Sequence, residues 1–334
     1  MKRAPQGIAR FDMSRAWLGF FLLGLPCCSR TAEPSDHERP SSSGAASSDA
    51  SAPLRAPALN DGGAPQLLYF PDGGDTVQFG AAPSNALLPG APSARCPPEM
   101  VDVRGRFCID RYEDVLVDAK LGRRLSPYYH PTRAQTATSF KDWSSHARDG
   151  KMAVPAPPDF QLSEDFEPRA ESHAGATPNG YLSANLAALA CKNAGKRLCT
   201  EQEWIFACRG EAQRKFPYGD HYEDGRCNVF REAHPAQILH GDMSTGHLDP
   251  RLNLVEGSAG PLLRKTGATE SCKSVWGADA IYDMVGNLDE WVDAPVGAFL
   301  GGFYARSTRE GCDSKVSSHP RQYFDYSLGI RCCQ

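Results

Sequence analysis

Three carboxylates stand within eight residues of one another: Asp283, Asp289 and Glu290, in the stretch Ala280-Ile281-Tyr282-Asp283-Met284-Val285-Gly286-Asn287-Leu288-Asp289-Glu290-Trp291-Val292. Apolar and acidic residues interleave there at strand-like spacing, and the Gly286-Asn287 pair punctuates a turn. A bend of this kind lets backbone carbonyls turn outward beside the acids. Hard cations use that supply of oxygen; calcium takes about six to eight such ligands. A polar turn between two strands accounts for the same spacing. Cysteine is the other reactive residue type. The chain has 12 cysteines among 334 residues, and none forms a CxxC pair. That pattern argues against a zinc ribbon or thioredoxin-like site and toward disulfides in an oxidising compartment.

Other chemistries find little support. A net charge of −4, with no long basic cluster, carries no nucleic-acid signature. HExxH, the Gly-x-Ser-x-Gly elbow and the phosphate loop are all absent from the sequence. His234, His240 and His247 fall in a loop, at a spacing that suits surface histidines better than a metal site. Arg306, Arg309, Arg321 and Arg331 could line an anion-binding groove, although Arg331 reads better as a buried arginine paired to a carboxylate.

The elements that must position these residues begin at Cys96. Met100–Val103 and Arg106–Tyr112 read as two strands about a turn at Arg104-Gly105. Residues 126–178 are polar and proline-rich, with Trp143, Phe160 and Phe166 as isolated anchors. A helix follows over 184–194, capped by Ser183 and stopped by Gly195. A second starts at Thr200, where Glu203 completes a capping box, and presents Trp204, Ala207 and Cys208 on one side. Residues 234–267 have few periodic apolar positions and read as surface loop. Short strands return at 299–304 and 328–332.

Ahead of this domain, Lys2, Arg3, Arg10 and Arg15 precede the apolar run Trp17–Leu25, which is too short to span a membrane and matches a secretory signal over residues 1–28. Cys27 and Cys28 follow it as candidates for lipid attachment. Residues 29–95, rich in Pro, Ser, Ala and Gly, read as a disordered tether.

Taken in order, several stretches resemble the formylglycine-generating enzyme/sulfatase-modifying factor family. They are Gly195-Lys196-Arg197-Leu198-Cys199-Thr200-Glu201-Gln202-Glu203-Trp204, Phe216-Pro217-Tyr218-Gly219, Tyr282–Trp291, Gly301-Gly302-Phe303 and Gly329-Ile330-Arg331-Cys332, spread over 96–334. The resemblance implies an α+β, C-type-lectin-like fold of short strands and helices with much irregular loop. It also implies calcium held by Asp283 and Glu290 side chains with the Gly286 and Leu288 carbonyls. A second calcium would begin at Asn228 and Val229, but its later Asp partner has no clean match in residues 231–267.

The family's oxidation of a sulfatase cysteine to formylglycine uses copper(I) on two cysteines that follow the Gly-Gly strand. Here Arg306 falls where the first thiolate belongs, and only Cys312 is near. An arginine cannot replace a soft thiolate ligand, so copper is not expected. Cys312 would be catalytic only in an active enzyme, and otherwise bonds to Cys332 or Cys333. The other disulfide candidates are Cys96, Cys108, Cys191, Cys199, Cys208, Cys227 and Cys272, with Cys96–Cys108 and Cys208–Cys227 as local pairings. Cys191, Cys199 and Cys272 remain as partners for the leftover C-terminal cysteine. The expectation is an exported, extracytoplasmic binding or structural module for a protein or carbohydrate partner, attached to a membrane if its N-terminus is lipidated. The alternative is an active formylglycine-generating enzyme or related oxidase.

Overall fold

Arg104 and Gly105 take left-handed backbone, with φ of 55° and 65°, and this lets the chain fold back on itself. Met100–Asp102 (β1) therefore pairs antiparallel with Cys108–Asp110 (β2), as the turn chemistry predicts. The computed structural model describes residues 96–146, 152–230, 234–306 and 308–334. The secretory signal, the tether, Cys27 and Cys28 lie outside the described residues. The chain divides into units Met1–Ala82 and Pro83–Gln334, and every described residue belongs to the second.

Asp114–Asp118 (β3) pairs antiparallel with Pro168–Ser172 (β4). Between them lie two helices, Arg133–His146 (α1) and Asp159–Ser163 (α2), where the sequence reads as polar loop. The reason α1 is hard to see is physical: Thr136 is its one buried residue, so it shows no apolar period. The next two helices match their signals. Ala184–Asn193 (α3) is capped by the Ser183 hydroxyl, which accepts from Leu186 N, and Gly195 at φ 72° ends it. Arg197–Leu198 (β5) leads into Glu201–Cys208 (α4), whose Thr200–Glu203 capping box is complete on both sides. Such a cap is worth about 1 kcal/mol.

Residues 234–267 depart from the surface loop read from the sequence. Pro235–His240 (α5), a 3-10 turn over Leu252–Leu254 and the hairpin Glu256–Gly257 (β6) with Gly260–Pro261 (β7) organise it. Leu239, Leu252, Val255, Leu262 and Leu263 are buried, in a cluster with Tyr181, Tyr304 and Tyr326. Their irregular spacing follows from short elements that each bury one or two side chains, which leaves no period to read.

Lys273–Trp276 (β8) and Asp279–Tyr282 (β9) form a hairpin. Asp289–Val292 (β10), Ala298–Leu300 (β11), Lys315–Val316 (β12) and Leu328–Gly329 (β13) make a sheet of order β12-β11-β10-β13, parallel between β10 and β13. The last strand, Cys332–Cys333 (β14), joins the other four-stranded sheet, β1-β2-β14-β5. The fold is thus α+β with much irregular loop. No described helix is long and apolar enough to cross a membrane.

Among the described residues five disulfides tie the loops: Cys96–Cys108, Cys191–Cys332, Cys199–Cys333, Cys208–Cys312 and Cys227–Cys272. Such a set fits an extracytoplasmic protein. Cys96–Cys108 is the local staple expected, but the Cys208–Cys227 pairing is not made. The buried end of α4 faces the 3-10 turn Gly311–Asp313, so Cys208 meets Cys312, which in turn cannot reach the C-terminal strand. Cys332 and Cys333 point to opposite sides of β14, as alternation in a strand requires, and so take different partners.

Candidate functional site

The carboxylate turn is built from strained but satisfied backbone. Asp283, Gly286 and Asn287 all have positive φ, at 59°, 84° and 60°. A Cβ at Gly286 would collide with the Asn228 carbonyl and the Val229 side chain, so the turn needs glycine there. Asp283 Oδ2 accepts from Gly267 N at 2.6 Å. Glu290 accepts from Arg331 through both oxygens, at 2.8–3.1 Å, and from Trp204 Nε1 at 2.6 Å. Arg331 is fully buried and also donates to the Asp110 and Tyr282 carbonyls. It is the paired structural arginine, and with it out of reach the four-arginine groove does not assemble.

A residue that the sequence does not point to completes this centre. Glu113, 1% exposed, accepts from Leu288 N at 3.0 Å and from the Asn287 side-chain amide. It carries no local signal because its partners lie more than 170 residues away. Glu113, Asp283 and Glu290 therefore crowd one guanidinium. Burial pushes Glu113 well above the usual carboxylate range, reinforced by the charges of Asp283 and Glu290. Burial likewise pushes Asp283 up to about 7. Three acids beside two bases, Arg331 and Arg264, leave one negative charge in excess, which a proton or a cation would neutralise. The charge suits calcium at Asp283, Gly286, Leu288 and Glu290, although a cation would share the Glu290 oxygens with Arg331 and Trp204.

The second set is better supplied with a vacant donor. Asn228 is 1% exposed, and its amide donates to Leu262 O and Asn287 Oδ1 while its own Oδ1 has no hydrogen-bond partner. Asn228 and Val229 line a cavity of about 590 Å³ together with Glu256 and Asp224. Glu256, in the hairpin strand β6, is an exposed acid at the edge of this cavity. Oxygens of this kind at this position fit a hard cation.

The thiolate position is arranged quite differently. Arg306 donates to Asp289, with Nη1 and Nη2 each 2.9 Å from a carboxylate oxygen, and lies over Phe299 and Phe303. Asp289 is wholly buried and also accepts from Gly302 N. Burial pushes its pKa up to about 7, opposed by the Arg306 charge. Cys312 is bonded to Cys208, and all ten cysteines among the described residues are in disulfides. This donor set does not fit copper(I), which needs a free thiolate pair. Arg309 packs instead over Tyr222 and Phe230, and Arg321 donates to Ala294 O. Of the loop histidines, His234 caps α5 and meets the Tyr326 hydroxyl, His247 packs on the same tyrosine ring, and His240 faces Asp249.

The class defined by this scaffold is a disulfide-stapled α+β domain built around an acidic Gly-Asn turn. The chain belongs to the sulfatase-modifying factor enzyme 1-like domain family, which matches residues 141–333. Among solved structures, the crystal structure of CarF is similar at a TM-score of 0.33 and 13% identity, over 68% of this chain and 86% of that chain. PvdO from Pseudomonas aeruginosa is similar at a TM-score of 0.30 and 16% identity, over 68% of this chain and 79% of that one.

Proposed function

We propose that this chain is an exported, calcium-holding member of its family in which the thiol-oxidase centre is closed, and that it works as a binding module. One observation carries the reading: Arg306, paired to Asp289, stands at the first thiolate position while Cys312 is locked to Cys208. A nucleophilic or copper-ligating cysteine must be a free thiolate, and neither position supplies one. Calcium at the Asn228 set and at the Asp283 set would fix loops that present a protein or carbohydrate ligand, since lectin-like scaffolds carry function on loops. The N-terminal signal exports the chain, and Cys27 or Cys28 anchors it by lipid.

The purified chain, given copper and a Cys-x-Pro-x-Arg peptide, should yield no formylglycine by mass spectrometry above a copper-only blank. Turnover at enzymatic rates would overturn the reading in favour of an active oxidase. Glycan and peptide binding compared with and without calcium tests the binding role, and loss of the calcium dependence would remove it. Incorporation of labelled palmitate tests the anchor; a chain that takes up none and stays soluble has no lipid.

A further inference from the structure

The strands and helix around β14 hold one buried acid that neither the scaffold nor the proposed binding role uses. Asp114 on β3 is 0% exposed, and as a carboxylate neither of its oxygens has a hydrogen-bond partner. Its backbone is fully engaged, with its N donating to Ile330 O and its carbonyl accepting from Asn179 N. The side chain points beside an apolar cluster that contains Leu116, Leu198, Ile330 and the two sulfurs of Cys191 and Cys332. One oxygen of Asp114 and those two sulfurs all lie within 4.8 Å of one another, and all three residues are buried. The charged groups facing this point are Asp110, Lys196 and Arg331. Lys196 is itself committed to Asp110, with Nζ 2.6 Å from Oδ1, and Arg331 to Glu290. A buried carboxylate with no donor is unfavourable unless a proton or a cation meets it. Held as the acid, Asp114 donates to Asp110.

We infer that Asp114, Cys191 and Cys332 form a latent site for zinc or a similar borderline divalent cation, which opens when the Cys191–Cys332 bridge is reduced. A phosphine or dithiol supplies two electrons. The sulfur–sulfur bond breaks, each sulfur becomes a thiol, and the two thiol protons pass to water as the metal binds. Two thiolates and one carboxylate are then three protein ligands from β3, α3 and β14, with the fourth tetrahedral position left to water. Metal–sulfur bonds of about 2.3 Å and metal–oxygen bonds of about 2.0 Å place neighbouring ligands roughly 3.5–3.8 Å apart, inside the span observed. Sulfur donors disfavour calcium, which seeks oxygen, so this site is chemically separate from the Asn228 and Asp283 sets. The nascent chain, before oxidation, is the form that would carry it.

The test uses the full chain, reduced by a phosphine without oxygen, with zinc alone as the probe. Alkylation of each cysteine is then followed by peptide mass spectrometry, with far-ultraviolet circular dichroism to report the fold. Zinc should slow alkylation of Cys191 and Cys332 at least tenfold while leaving Cys96 and Cys227 unchanged. Cobalt in place of zinc should give a thiolate-to-metal absorption band. Asp114→Asn should weaken both effects by roughly tenfold or more, the range seen even for outer partners of metal ligands. Equal alkylation with and without zinc overturns the inference. So does protection that survives Asp114→Asn, protection confined to other cysteines, or a reduced chain that unfolds and is not restored by zinc.

Discussion

Two turns of this molecule answer to the same sheet and have been given opposite chemistry. The Gly-Asn turn before β10 gathers Glu113, Asp283 and Glu290 about Arg331, with Arg264 acting on Asp283 as well, three acids to two bases. The loop after β11 sets one arginine against one buried aspartate, a balanced pair, and ties its cysteine to α4. Both rest on left-handed glycines that no side chain could replace: Gly286 against Asn228, and Gly302 against Thr308. Backbone geometry is therefore shared, while the side chains on it decide whether a region invites a cation or shuts one out. The difference shows that a scaffold and its chemistry can be separated, and that each can be tested alone.

The largest effect should come from Arg331→Met, which removes one of the two bases from the acid-rich turn. It leaves the buried Glu290 with Trp204 Nε1 alone and takes the Arg331 donor from two carbonyls. A loss of about 3–5 kcal/mol, read from the urea midpoint, is expected for breaking a buried pair. A change below about 1 kcal/mol would place Arg331 with surface ion pairs and dissolve the contrast between the two turns.

The balanced loop should reveal itself through pH. Asp289 titrates near about 7 in the folded chain, above the unfolded value of about 3.9. A group raised in this way gives stability that is fully present below pH of about 4 and is lost as pH rises through about 7. Asp289→Asn removes that titration. The stability difference between wild type and variant should therefore shrink by on the order of 1–4 kcal/mol between pH of about 4 and 8. A difference that stays flat across the range contradicts the assignment.

Calcium sharpens the comparison further. At a concentration about a hundredfold above its dissociation constant, the ion should stabilise the native chain by roughly 2.7 kcal/mol for each site it fills, a rise of about 5–10 °C in Tm per site. Glu256→Gln should lose the share that belongs to the Asn228 cavity and retain the share of the Asp283 turn. A wild-type Tm that ignores both calcium and chelator would remove the ion from the account.

Local signals carried much of this fold. The Arg104-Gly105 turn, the Ser183 cap and the Thr200–Glu203 box each act within a few residues, so a single sequence reveals them. The site was legible only where its donors are neighbours in the chain, as Asp283 and Glu290 are. Glu113 and Asp114 were not, because each acquires its meaning from a residue brought across the fold, Leu288 and Cys332, and Glu256 reaches the Asn228 cavity only through the β6–β7 hairpin. The Cys96–Cys108 staple was legible, but the long-range cysteine pairings were not, for the same reason. Cys208 lies 19 residues from Cys227 in sequence, yet the end of α4 packs on the turn that holds Cys312, 104 residues away. Helix α1 escaped notice from the opposite cause, since a helix that buries one threonine has no pattern to show.

A peptide map of the native chain, alkylated and digested without reduction, tests the closed thiol region most directly. The expected result is a linked pair of peptides containing Cys208 and Cys312, with no alkyl group on Cys312. Recovery of Cys312 as an alkylated free thiol would contradict it, because that loop would then hold a cysteine ready for chemistry.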